Sequence, residues 1–356
     1  MHLSPPQAPR RALKSLHHVH GSEVSCWTYP ATAPCRGVIL AVHGFRGDHH
    51  GLARIIEQLP GHTVIVPDLP GFGSSTPFSG VSAHGAPDGA PGFPAPGRAP
   101  EASGPRHDVA GYGEVVGALR GQLGLGPATI LLGHSFGTIV AAAYLARHPG
   151  SFEQLVLVNP ICEPALKGSQ ALMSRAAGAY YAAGALLPAT LGEALLRSRL
   201  VTDAMSLAML KSRDRATRDY VVDQHRSYFS GFTSRSTLRE AYAASITATV
   251  RDVAARINEP TLLVVGEQDE LGSVPAQRSL ARTFPRATLR VIGDVGHLIH
   301  YEKAAEAAAL IEEFLGAEHP WVPRGMPRTP YPGDGRRSRP RQSNQPNQQD
   351  ATTRTG

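Results

Sequence analysis

The sequence predicts an α/β fold: a mostly parallel central sheet with helices on both faces and a helical cap inserted between two of its strands. Three observations carry that expectation. Short Val/Ile/Leu runs alternate with helix-forming stretches, the pattern of buried parallel strands covered on both sides. A stretch from about 163 to 246 is helical by composition and carries no strand signal. The decapeptide LLGHSFGTIV, residues 131–140, passes from an apolar run into an Ala-rich helix with almost no loop between them.

Taken in order, EVSCWTY (23–29) and RGVILAVHG (36–44) are the first strand segments, followed by a helical LARIIEQLP (52–60) and a strand HTVIVPDLPG (62–71). Residues 79–105 are so rich in Pro, Gly and Ala that they form no interior element, and a mobile inserted loop is expected. ATILL (128–132) is the next strand, and the helix after it stops near Pro149 and Gly150. QLVLVNP (154–160) precedes the strandless stretch. TLLVVG (261–266), a helical PAQRSLARTF (275–284), TLRVIG (288–293) and a helix at 301–316 complete the alternation. The division that follows is a core in two parts, 1–162 and 247–316, a helical cap at 163–246, and a tail at 317–356. Right-handed crossovers should join the parallel strands.

Composition narrows the function classes. An apolar fraction of 42% in 356 residues supports a sizeable core. Of the +6 net charge, the tail holds nearly all: after His319 there are seven arginines against two aspartates. That Pro-, Arg-, Gln- and Asn-rich tail is expected to be disordered. The body is close to neutral, so no nucleic-acid partner is expected. Cys26, Cys35 and Cys162 are too few and too scattered for a disulfide framework or a metal site. The N-terminus has no apolar core of a secretory signal, and the stretch 176–192, broken by proline and glycine, is too short for stable membrane insertion. A cytoplasmic location is the default expectation; nothing in the sequence fixes the oligomeric state.

Ser135 is the candidate nucleophile. A tight strand–turn–helix leaves no room for side chains at Gly133 and Gly137 and forces Ser135 into strained backbone with its hydroxyl raised. A serine hydroxyl needs a base, and the base needs an orienting group. In an open α/β sheet the chemistry gathers at the carboxyl ends of strands. Asp269 follows TLLVVG and His297 follows TLRVIG, giving the chain order serine, acid, histidine. Alternatives remain at this stage: Glu267, Glu270 or Glu163 as the acid, with Asp269 merely capping the helix near Pro275, and His300 as the base. The oxyanion of acyl transfer requires preorganised N–H donors. The Phe136 amide, directly after the nucleophile, and the Phe45 amide, in the loop after RGVILAVHG, are the candidates.

The segments VHGFRG (42–47), DLPGFGSS (68–75), GHSFG (133–137), GEQD (266–269) and GH….E (296–302) together resemble the α/β-hydrolase family, specifically esterase- or lipase-like serine hydrolases with a helical cap. The resemblance covers about residues 20–316. It implies a Ser135–Asp269–His297 triad, no metal and no organic cofactor. Arg46 departs from it, since many relatives have proline there; the expectation is a cation near the entrance. A serine at 135 also separates the chain from relatives with an aspartate nucleophile. The expected activity is hydrolysis of a small-molecule carboxylic ester or thioester through an acyl-enzyme. The alternatives are hydrolysis of a C–C bond in a β-diketone-like substrate by the same triad, and a non-catalytic ligand-binding protein of the same fold. The Ala- and Leu-rich cap segment either lines an acyl pocket or packs internally, and the basic residues between 197 and 218 are most simply solvated helix surface.

Overall fold

The computed structural model describes residues 10–79, 104–163 and 171–317, with backbone alone for 171–176. Most of the loop expected at 79–105, and the tail from 318 onward, lie outside these described residues.

The sheet has eight strands in the order β1-β2-β4-β3-β5-β6-β7-β8. β1 (Leu13–Val19) and β2 (Ser22–Tyr29) form a hairpin through His20 and Gly21, whose φ values of 49° and 73° suit a tight turn matched to strand twist. β2 pairs antiparallel with β4 (His62–Pro67). From there every pairing is parallel: β4 with β3 (Gly37–Val42), then β5 (Ile130–His134), β6 (Gln154–Val158), β7 (Thr261–Gly266) and β8 (Ala287–Ile292).

Strand residues divide alternately between two apolar layers, as the pleat requires. Leu40, Val42 and Leu131 face α2 (Val109–Gln122) and α3 (Phe136–Arg147). Ile39, Ala41 and Leu132 face α1 (Ala53–Glu57) and α11 (Ala304–Leu315). Helices therefore cover both faces, and the expected fold class is the observed one. Among the described residues, five α-helices run between β6 and β7: α4 (Ala171–Leu186), α5 (Ala189–Leu196), α6 (Arg199–Met209), α7 (Arg215–Tyr228) and α8 (Arg235–Thr247). Tyr181, Leu196 and Leu238 join their side chains to the α2/α3 layer. After β7 come α9 (Val274–Ala281), then β8, and a one-turn α10 (Ile299–Glu302).

Two elements fall outside the sequence expectation. β1, LKSLHHV, carries lysine and histidines and leaves Leu13 and Leu16 exposed, so its apolar signal is weak; pairing with β2 makes it a strand. α2 contains four glycines, which depress helix propensity. Its N-terminus is fixed by Asp108, whose side chain accepts from the Gly111 N–H at 2.9 Å, and its buried Tyr112, Val115 and Leu119 supply the packing. No helix among the described residues is long and apolar enough to cross a membrane.

Candidate active site

The site begins with the strand–helix junction. A Cβ on Gly137 would stand 2.2 Å from the Val42 carbonyl oxygen, and one on Gly133 would stand 2.5 Å from the Gly137 carbonyl oxygen. Both neighbours are backbone, so only glycine allows α3 to approach the sheet this closely. Ser135 sits between them at φ 52°, a left-handed conformation that non-glycine residues rarely adopt, with its N–H held by the Val158 carbonyl at 3.0 Å. The hydroxyl is thereby set at the carboxyl end of β5.

His297 and Asp269 come to the same edge from the loops after β8 and β7. The Ser135 hydroxyl lies 2.7 Å from His297 Nε2, and His297 Nδ1 lies 3.0 and 3.1 Å from the two Asp269 oxygens. With Nδ1 donating to the carboxylate, Nε2 carries a lone pair facing the Ser135 hydroxyl. Burial of His297 works against its charged form, but the Asp269 carboxylate and its hydrogen bond outweigh that, and the net shift is upward. Asp269 also accepts from the Leu271 N–H at 2.8 Å, while the N-cap of α9 is Ser273. Glu270 is instead ion-paired with Lys211, from the link between α6 and α7. His300 is buried against His134, ring centroids 4.0 Å apart, and makes no bond to Ser135.

The loop after β3 packs directly on Ser135: a Cβ at Gly44 would be 3.2 Å from the Ser135 Cβ. His43 holds this loop, donating from Nδ1 to the Gly44 carbonyl at 2.8 Å and accepting the Leu69 N–H on Nε2 at 2.9 Å. Burial keeps it neutral by lowering its affinity for a second proton. The Phe45 and Phe136 amides make no hydrogen bond to backbone or side chain among the described residues, and both residues line the cavity above Ser135. Phe45's ring packs edge-on to Phe72 and Tyr181 at 6.2 and 5.8 Å.

Arg46 corrects the expectation of a cation at the entrance. It is 1% exposed, at φ 61°, and donates to the Phe229 carbonyl (3.0 Å), the Leu196 carbonyl (2.8 Å) and the Tyr181 hydroxyl (3.4 Å). The Phe229 ring lies under it at 4.6 Å. The proline usual among relatives has no such reach; here the side chain joins the loop to the inserted helices.

Asn159, one residue beyond β6 at φ 47°, has no counterpart in the sequence expectations. Its Nδ2 donates to the His297 carbonyl at 2.7 Å and its Oδ1 accepts the Gly266 N–H at 2.9 Å. It thus ties the β7 end, just before Asp269, to His297. The only signal in sequence was an asparagine before proline at a strand end, which reads equally well as a turn. Asp68, within DLPGFGSS, is structural too: it accepts from the Trp27 indole, the His49 and Ser74 amides and the His49 ring.

The cavity over Ser135 has a volume of about 330 Å³ and is walled by the core loops and by α4, α6, α7 and α8, through Tyr181, Met205, His225, Phe229 and Tyr242. Elsewhere, Asp48, His49 and His50 each bring a potential ligand atom within 4.8 Å of the others. The two histidine Nδ1 atoms are hydrogen-bonded to carboxylates, His49 to Asp68 at 3.0 Å and His50 to Asp48 at 3.1 Å.

Residues 37–304 match the family model described as alpha/beta hydrolase fold. Among curated relatives, Lipase 3 of Moraxella sp. (strain TA144) is 23% identical over 278 residues, spanning 76% of this chain and 74% of that one. The 2-hydroxymuconate semialdehyde hydrolase of Pseudomonas putida is 26% identical over 265 residues, 71% of this chain and 76% of its own. Of solved structures, a thermophilic esterase from Thermogutta terrifontis superposes with a TM-score of 0.61 at 21% identity, covering 86% of this chain and 98% of that one. The enol-lactonase from Burkholderia xenovorans LB400 gives 0.61 at 20%, covering 85% and 99%. With its mostly parallel sheet, its strand-to-helix serine turn and a family match over three quarters of its length, this chain is a hydrolase that belongs to the α/β-hydrolase fold family.

Proposed function

We propose that the protein is a serine hydrolase that cleaves carboxylic ester or thioester bonds of small molecules through an acyl-enzyme. The observation that carries this is the continuous hydrogen-bond line Ser135–His297–Asp269, at 2.7 and 3.0 Å. Ser135 Oγ attacks the substrate carbonyl while His297 Nε2 takes its proton. Asp269 stabilises the imidazolium so formed and keeps the ring oriented. The Phe45 and Phe136 amides, both free to donate, receive the oxyanion, the second at the positive end of α3. Collapse breaks the bond to the alcohol or thiol, which leaves with the proton from His297. A water molecule, deprotonated by His297, then attacks the acyl carbonyl, and Ser135 leaves with that proton. The chemistry calls for no metal or organic cofactor. Residues 163–246 act as the cap that closes the site and shapes the acyl pocket, on cores 1–162 and 247–316.

A fluorophosphonate probe tests the reading: it should label the wild-type protein at Ser135 and leave Ser135→Ala unlabelled. A panel of p-nitrophenyl esters of rising chain length then bounds the acyl pocket. Absence of labelling in the folded wild-type protein would remove the claim. A second reading, C–C bond hydrolysis by the same triad, is favoured by the similarity to 2-hydroxymuconate semialdehyde hydrolases. Product analysis distinguishes them, since C–C cleavage releases a carbon acid where ester cleavage releases an alcohol or thiol.

A further inference from the structure

His225, on α7, is 8% exposed and lines the same cavity as Ser135. Its Nδ1 lies 2.6 Å from the Ser206 hydroxyl on α6, and that hydroxyl lies 2.7 Å from the Thr202 carbonyl oxygen one turn earlier. A hydroxyl has one proton. Giving it to the Thr202 carbonyl makes Ser206 Oγ an acceptor, so Nδ1 must be the imidazole nitrogen that carries hydrogen; this arrangement satisfies two hydrogen bonds where the other tautomer satisfies one. The remaining nitrogen, Nε2, is left with an unshared pair and takes no hydrogen bond among the described residues. Burial, and then the charge of Arg46, push the imidazole pKa down to about 4, so the lone pair stays available at neutral pH.

The surroundings limit what that lone pair can receive. The Phe229 and Tyr301 rings pack against the imidazole, centroids 5.2 and 5.5 Å away, and Met205, Met209 and Leu298 line the same cavity, so the acceptor stands in largely apolar surroundings. Nearby, His300 Nδ1 and His134 Nε2 are also buried without hydrogen-bond partners, in rings that burial holds uncharged. A cation is disfavoured by the Arg46 charge that already acts on His225. A carboxylate has no proton to give. A neutral hydroxyl supplies the missing proton without burying a charge, and its own oxygen can accept in return.

We propose that His225 Nε2 is the acceptor of a substrate-recognition subsite, oriented by Ser206, that selects substrates carrying a neutral hydroxyl group on the chain held under α6 and α7. The proposal deepens the hydrolase reading and rests on it only in calling the occupant a substrate; the subsite is a matter of binding. Two ethers that no esterase can cleave therefore test it: 3-butoxypropan-1-ol and dibutyl ether, which differ by a hydroxyl in place of a methyl, with 3-butoxypropanoate as the anionic counterpart. By calorimetry the wild-type protein should bind the hydroxyl ether about tenfold more tightly than dibutyl ether, the scale of one well-made hydrogen bond. His225→Phe should retain dibutyl ether and lose the preference. In wild-type protein with ¹⁵N-labelled histidine, the unprotonated Nε2 resonance of His225 should move on adding the hydroxyl ether and stay in place with dibutyl ether, which keeps the test open if the variant fails to fold. Equal affinity for the two ethers, a preference that survives in His225→Phe, an unmoved Nε2 resonance, tighter binding of the carboxylate, or no binding of any of the three would each overturn the subsite. Fluorophosphonate labelling of Ser135 reads the hydrolase assignment separately from all of these.

Discussion

The Arg46 guanidinium donates to the Leu196 carbonyl at 2.8 Å, joining the residue after Phe45 to the C-terminal end of α5. The same group reaches the Phe229 carbonyl after α7, so one side chain of the core closes two segments of the helical insertion. Arg46→Met should strip the Phe229 carbonyl of its donor and leave the Leu196 carbonyl with the Tyr180 hydroxyl alone, at 3.1 Å. Hydrogen bonds to charged groups contribute about 1.5–3 kcal/mol each, so a loss of roughly 3 kcal/mol or more is expected in urea denaturation. Because Phe45 precedes Arg46, kcat on a p-nitrophenyl ester should fall as well.

The pH profile follows from His297. Its pKa lies above the ordinary 6.5, and only the neutral ring accepts the serine proton, so activity should rise with pH through a point above 6.5. Asp269→Asn removes the larger part of what raises the pKa, leaving the weaker Glu270 charge against burial, which lowers it. The acid limb should then move to lower pH, while the plateau falls about 10⁴-fold, as expected when the orienting carboxylate is lost. Stability has the opposite sense: the contribution from the raised pKa is complete below 6.5 and disappears as pH rises through the folded value. The stability gap between wild type and Asp269→Asn should accordingly narrow with rising pH, as read by thermal denaturation.

Gly137→Ala places a methyl 2.2 Å from one backbone oxygen and 2.7 Å from the next, and neither can move without the sheet. A destabilisation of about 3 kcal/mol, the upper range for overpacking, and loss of fluorophosphonate labelling are expected. Gly113→Ala is the control. It lies within α2 with no atom inside 4 Å of the added carbon, and should stabilise by about 0.5–1 kcal/mol.

Asn159→Ala removes the amide donor to the His297 carbonyl and the acceptor of the Gly266 N–H in a buried site, at about 1–3 kcal/mol for a group left unsatisfied. With the His297 loop released, kcat should drop while KM stays near its wild-type value. Steady-state kinetics on one ester, beside a melting curve, separates this from general unfolding.

The sequence made the sheet and the serine turn legible for a steric reason. Gly133 and Gly137 mark where two backbones touch, and that requirement is local, so it can be read from five residues. Asp269 and His297 were readable from position, each just past an apolar strand. Arg46, Asn159 and His225 were not. Their roles come from partners 183, 138 and 19 positions away, and no local pattern announces a buried cation, a loop clamp or an oriented imidazole. β1 was missed because an edge strand needs little apolar character when its neighbour supplies the pairing.

Ser135 and His297 are 162 positions apart, with the five-helix insertion between them. During synthesis, the ribosome therefore releases the serine turn long before the residue that activates it. If His297 is the base, a nascent chain halted anywhere ahead of β8 carries the strained serine without its partner and should not turn over. On the proposed mechanism, competence arrives late, when β8 docks and brings its following loop to the serine turn.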